Sequence, residues 1–178
     1  APLTRRGAHP GDGLWLTGVP GLSRAALTAW RRGEQPEPEA RRAFAHPEPR
    51  LAPGRLLAAA GARALVDLSD GLAGDAAHLA AASEVAVNLE LDLVPLAPAV
   101  VRAAARQGTP APIFAAEGGE DYELLAALPP DFGPAEALAL ATATGVPLTR
   151  IGAVVPGRGV RLWHQQRQVP LVGYDHFA

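Results

Sequence analysis

The chain has 178 residues, 48% of them hydrophobic, a formal net charge of −2 and no cysteine. That size and apolar content suit one buried core, and the charge balance leaves no basic footprint for nucleic acid. No apolar run approaches a membrane span and no signal peptide opens the chain; disulfides and thiolate zinc sites are excluded, which suits a cytoplasmic protein.

The absence of methionine makes Ala1-Pro2-Leu3 read as an internal cut, so residues 1–178 read as a single domain of a longer protein. All 16 basic residues are arginine and alanine is abundant, as a GC-rich coding bias would produce. The prolines, 18 in all and mainly in apparent loops, fit a thermophile source.

Taken in order, Leu14 to Thr17 reads as a short strand, and Ser23 as the cap of a helix through Trp30 with Gly33 as its stop. Residues 34–53 are rich in proline and charge and read as a surface connection. Pro53 suits the start of a helix through Ala60. Ala64 to Leu68 is a strand, and Leu72 to about Ala82 a helix. Val85, Val87, Leu89, Leu91 and Leu93 alternate with polar or small residues, a period of two that predicts a strand with one buried face. Helices follow over Pro98–Gln107 and Pro134–Thr144, with a strand between them from Tyr122 to Leu128. Ile151–Val155 and Val160–His164 read as a hairpin closed by Pro156-Gly157-Arg158-Gly159. Strands alternating with helices predict a layered α/β domain with a mixed sheet.

Two acidic stretches carry the chemistry. In Val66-Asp67-Leu68-Ser69-Asp70-Gly71, Asp67 and Ser69 share a strand face, and Asp70 and Gly71 open a turn. The helix that follows offers free backbone N–H groups to an anion. A carboxylate beside a phosphate repels it unless a hard cation lies between them, so the pattern implies Mg²⁺. Alone, an aspartate at a strand end also serves as an N-cap or a solvated turn residue. The second stretch is Gly118-Gly119-Glu120-Asp121-Tyr122-Glu123-Leu124, a glycine pair directly before two acids and a tyrosine. Without any lysine a conventional phosphate loop is excluded, and Ser69 lacks the frame of a hydrolase elbow. The five histidines show no i, i+4 pairing that would hold zinc, and His78 reads as a solvated helix residue. Trp15, Trp30 and Trp163 read as core or interface aromatics.

With these motifs, the chain resembles the C-terminal domain of the thiamine-monophosphate kinase family, within the aminoimidazole ribonucleotide synthetase superfamily. The likeness extends to Leu3-Thr4-Arg5-Arg6-Gly7-Ala8, Pro10-Gly11-Asp12, Gly21-Leu22-Ser23, Thr149-Arg150-Ile151-Gly152 and the closing Gly173-Tyr174-Asp175-His176-Phe177. It implies ATP- and Mg²⁺-dependent phosphorylation of thiamine monophosphate to thiamine diphosphate by direct in-line transfer. It assigns Asp67 and Asp70 to Mg²⁺, Arg5 and Ser69 to ATP, and Glu120 and Phe177 to the thiamine moiety, with Asp121 and Tyr122 shaping the loop. Arg6 replaces a residue that is often small in the family. Members carry another acidic cluster and their homodimer interface in an N-terminal domain that nothing here matches, so this chain should not turn over alone. Two other readings stay open: a synthetase of the superfamily with a different acceptor, and a non-catalytic thiamine-phosphate-binding domain.

Overall fold

Residues 3–170 are described by a computed structural model. The strands β1 (Gly13–Thr17), β2 (Ala64–Asp67), β3 (Ala86–Glu90), β4 (Leu124–Leu128), β5 (Leu148–Val155), β6 (Gly159–His164) and β7 (Arg167–Val169) form a mixed seven-stranded sheet in the order β2-β4-β1-β5-β3-β6-β7. All neighbours are antiparallel except β3 and β6. The helices are α1 (Leu22–Arg31), α2 (Pro38–Ala45), α3 (Leu51–Ala59), α4 (Leu72–Ser83), α5 (Pro98–Gln107), α6 (Ala111–Ala116) and α7 (Pro134–Thr144).

The central strands are apolar throughout because both faces of the sheet are covered. In β1, Leu14 and Leu16 enter one core with residues of α1, α4, α5 and α6, while Trp15 points the other way, against Leu57 of α3 and Ala137 and Leu140 of α7. β4 divides likewise, with Leu125 and Ala127 on the first side and Leu124, Ala126 and Leu128 on the second. The result is a three-layer α/β domain, as the alternation of elements predicts.

Several boundaries differ from expectation, each for a local reason. The 34–53 connection contains α2, with Pro38 at its first turn where a missing N–H costs nothing, and the start of α3. Ser23 is not the cap of α1: it lies inside the helix, and Gly21 holds the cap position with φ of 91°. The strand from Val85 stops at Glu90, where the paired registers with β5 and β6 run out; Leu91–Leu93 becomes a 3₁₀ turn and Val94 N donates to Leu91 O instead. β4 begins only at Leu124 because Tyr122 is left-handed, with φ of 53°. The segments read as a hairpin do not pair with each other, since β3 lies between β5 and β6. The hairpin is instead β6–β7, turned by Gln165 and Gln166 with φ of 50° and 60°. α6 was not foreseen.

Candidate active site

The two acidic stretches form one unit. Leu68-Ser69-Asp70-Gly71 links β2 to α4, and Glu117 to Glu123 link α6 to β4, so both emerge at one end of the β2–β4 pair. Backbone hydrogen bonds continue that pairing into the loops: Leu68 N donates to Glu123 O at 2.8 Å, Tyr122 N to Leu68 O at 2.9 Å and Glu120 N to Ser69 O at 2.9 Å. Glycine is what permits the approach. A Cβ at Gly119 would stand 2.6 Å from Ser69 O, and one at Gly71, where φ is 97°, 2.9 Å from Gly118 O.

Buried polar groups fix this unit to its surroundings. Asp121 accepts hydrogen bonds from Gly21 N at 2.7 Å and Ser23 N at 3.3 Å, so it caps α1 from far along the chain, and Ser23 Oγ donates to Glu120 O at 2.8 Å. Desolvation pushes the Asp121 carboxyl up to about 7, against the pull of those N–H groups. Glu123, with its side chain only 5% exposed, takes both forks of Arg50 at 2.7 and 2.8 Å and the Thr17 hydroxyl at 2.6 Å. Thr17 Oγ1 in turn accepts from Leu124 N at 2.8 Å. These groups shape the site; they do not face into it.

Of the residues assigned from sequence, Asp67, Ser69, Asp70 and Glu120 come together on this double loop. Asp67 is exposed at the end of the edge strand β2, Ser69 and Asp70 are half-buried, and Glu120 is exposed with φ of 60°. The Glu120 carboxylate takes no hydrogen bond or ion pair among the described residues. Arg5 runs beside β2: Leu65 N donates to Thr4 O at 2.9 Å, two residues before Asp67, and the Arg5 carbonyl accepts from Ser83 Oγ at the last residue of α4. Phe177 lies outside the described residues.

Two residues of the acidic end were not singled out as ligands. Asp75, in the first turn of α4, is buried and accepts from Asp70 N at 2.9 Å; desolvation raises its carboxyl to about 6. His78, one turn further on and half-exposed, brings Nε2 to 3.6 Å from Asp70 Oδ2. Asp70, Asp75 and His78 can place one ligand atom each within 4.8 Å of the others. The signal in the sequence was an aspartate at i+5 and a histidine at i+8 from Asp70, a spacing meaningful only once the turn at Gly71 is known. For a hard cation such as Mg²⁺ the oxygen donors Asp67 and Asp70 fit, and His78 is the less suitable partner.

A cleft of about 480 Å³ adjoins the double loop. Ser69 and Gly118–Glu120 line one side of it, and Ser23, Arg24, Leu27 and Arg31 of α1 with Phe44 of α2 another. Arg24 is already engaged, paired with Glu117 at 2.9 Å and stacked over the Phe114 ring at 4.4 Å.

This fold recurs in known proteins. The model of the AIR synthase related protein, C-terminal domain family matches residues 9–165. The chain belongs to that family. Within reach of this family member, thiamine-monophosphate kinase of Escherichia coli (strain K12) is 36% identical over an alignment of 185 residues, covering 99% of this chain and 55% of the relative. The crystal structure of thiamine-monophosphate kinase from Stenotrophomonas maltophilia K279a superposes with a TM-score of 0.81 at 34% identity, covering 90% of this chain and 52% of that one. AaThiL complexed with AMPPCP and TMP gives a TM-score of 0.81 at 30% identity, covering 98% of this chain and 54% of that one. The chain spans about half the length of the curated relatives it matches. No described helix is long and apolar enough to cross a membrane.

Proposed function

We propose that the whole protein is a cytoplasmic thiamine-monophosphate kinase, to which this family member contributes the acceptor side and part of the metal side of the site. The observation that carries the reading is the fusion of the Asp67–Gly71 and Gly118–Glu123 loops beside a ligand-sized cleft, in a chain similar to proteins of that name along nearly its whole length. The reaction is transfer of the γ-phosphoryl group of ATP to the phosphate of thiamine monophosphate. That acceptor is already ionised, so its oxygen attacks phosphorus in line without a dedicated general base. Asp67 and Asp70 would hold Mg²⁺, which when bound neutralises charge on the phosphate oxygens.

Ser69 and the free N–H groups at the start of α4 face the nucleotide phosphates. Arg5, on the segment that runs beside β2, contacts ATP. Glu120 and Phe177 receive the thiamine moiety, whose aminopyrimidine donates hydrogen bonds and whose thiazolium is cationic. The remaining ligands come from an N-terminal domain, through which the protein forms a homodimer.

The test is an assay of both pieces. The full-length protein with ATP and Mg²⁺ should convert thiamine monophosphate to thiamine diphosphate, and residues 1–178 alone should not. Turnover by residues 1–178 at the rate of the whole protein would remove the divided site.

A further inference from the structure

We infer that Phe44 is a specificity-determining residue that contacts the ring system of the acceptor, and that α2 is a fixed wall of the acceptor cleft. The inference rests on the phosphoryl-transfer reading above and extends it to a segment that the sequence presents as a mere connection.

α2 is pinned at both ends. Before and within it, Glu37 pairs with Arg102 of α5, and Glu39 Oε1 accepts from Ala99 N at 3.3 Å. From its last turn Arg42 pairs with Glu48 at 2.6 Å, Glu48 with Arg50 at 3.6 Å, and Arg50, at the start of α3, grips Glu123 at the end of the Gly118–Glu123 loop. A chain of ion pairs thus ties α2 to that loop.

Phe44 is held edge-on by Trp30, with ring centroids 5.1 Å apart and planes at 77°. Half-buried, it leaves part of its ring in the cleft beside Leu27, in the same space that Ser69 and Glu120 line. Glu120 offers there a carboxylate that no described residue engages. A ring face and a free carboxylate together suit a flat heteroaromatic cation, since the ring quadrupole and the carboxylate both attract positive charge while the ring buries apolar surface. Of the three arginines that line the cleft, Arg24 is offset by Glu117, Arg32 Nη2 donates to Arg106 O, and Arg31 is exposed, where water screens its charge. At about 480 Å³ the cleft lies within the range of small-molecule sites.

The experiment uses the full-length protein and steady-state kinetics with thiamine monophosphate and ATP varied in turn. Phe44→Ala should raise the acceptor KM about tenfold, the equivalent of one good aromatic contact, and leave the ATP KM and kcat within about twofold. Phe44→Tyr, which keeps the ring, should stay near wild type. Phe44→Leu keeps apolar bulk against Trp30 but no π face and should raise the acceptor KM several-fold; if the alanine variant fails to fold, this variant decides alone. An acceptor KM within twofold of wild type in the leucine and alanine variants, or equal rises for both substrates, overturns the inference. Should the wild-type protein form no thiamine diphosphate, the phosphoryl-transfer reading falls, and calorimetric binding of thiamine monophosphate to wild type and Phe44→Ala then decides for Phe44: equal affinities, or no binding, overturn it.

Discussion

At the β2 edge of the sheet, three carboxylates are withdrawn from solvent, Asp75 and Glu123 fully and Asp121 in part, and each meets particular donors: Asp121 two backbone N–H groups of α1, Glu123 Arg50 and Thr17, and Asp75 the backbone of Asp70. Towards the β7 edge an exposed pair stands instead: Arg158 meets Glu84 at 3.4 Å with side chains 82% and 71% exposed. Desolvation explains why the difference matters. An exposed pair contributes little because water screens it, whereas a buried carboxylate is tolerated only where its partners are already in place. The first edge thus holds its loops in one geometry at a cost in stability, and the second does not.

The largest expected effect is on catalysis. In the full-length protein, Asp67→Asn and Asp70→Asn should each lower kcat by several kcal/mol of transition-state stabilisation, because each removes a negative ligand from the place where Mg²⁺ offsets phosphate charge. The fold should survive, since Asp67 is exposed and Asp70 half-buried. Rate measurements at saturating Mg²⁺ with circular dichroism of each variant check both halves. Near-normal kcat would make these aspartates turn formers, no different from the acids at the other edge.

Next comes the clamp. Glu123→Ala leaves Arg50 and Thr17 without their partner in a buried setting and should cost about 3 kcal/mol or more of stability. Arg158→Ala at the opposite edge should cost no more than about 0.5 kcal/mol. Denaturant unfolding of the two variants side by side measures the contrast directly, and equal losses would erase it.

Glu120→Gln should then raise the KM for thiamine monophosphate by about 1 to 2 kcal/mol of lost binding, with the ATP KM unchanged, because only the charge facing the acceptor is removed. If the ATP KM shifts instead, the acceptor pocket belongs elsewhere.

The pH dependence of stability tests the same burial without removing a partner. Because burial lifts Asp121 to about 7 from an unfolded value near 3.9, the folded state binds the extra proton in between, and its contribution to stability is full below about 4 and lost as pH rises through about 7. Thermal unfolding midpoints should fall more steeply with rising pH over that window in wild type than in Asp121→Asn. Parallel profiles would show that the carboxyl is not desolvated.

Much of this was legible in the sequence where the signal is local. The helices over Pro98–Gln107 and Pro134–Thr144 form as predicted, and α4 follows the first acidic motif from Leu72 as predicted. What was not legible depends on partners distant in the chain. Ser23 looked like a helix cap because the real one, Asp121, comes 98 residues later. β5 and β6 looked like a hairpin because nothing in their own alternation reveals that β3 inserts between them. Residues 34–53 looked like a loop because proline is read as a breaker, yet Pro38 starts α2 and the segment supplies both Arg50 and Phe44 to the site. The candidate residues Asp67, Ser69, Asp70 and Glu120 are legible since they lie in two short motifs; Asp75, His78 and the Arg50–Glu123 clamp become meaningful only in three dimensions.

The central claim is that the two acidic loops act as one site because they touch, and Gly119→Ala in the full-length protein tests it most directly. The added Cβ would stand 2.6 Å from Ser69 O, so the loops must part, although no side chain assigned to metal, nucleotide or acceptor is removed. Steady-state kinetics with each substrate varied should show a large fall in kcat and a raised KM for thiamine monophosphate, in a protein whose circular dichroism is unchanged. Wild-type kcat and KM in a folded Gly119→Ala protein would contradict the account.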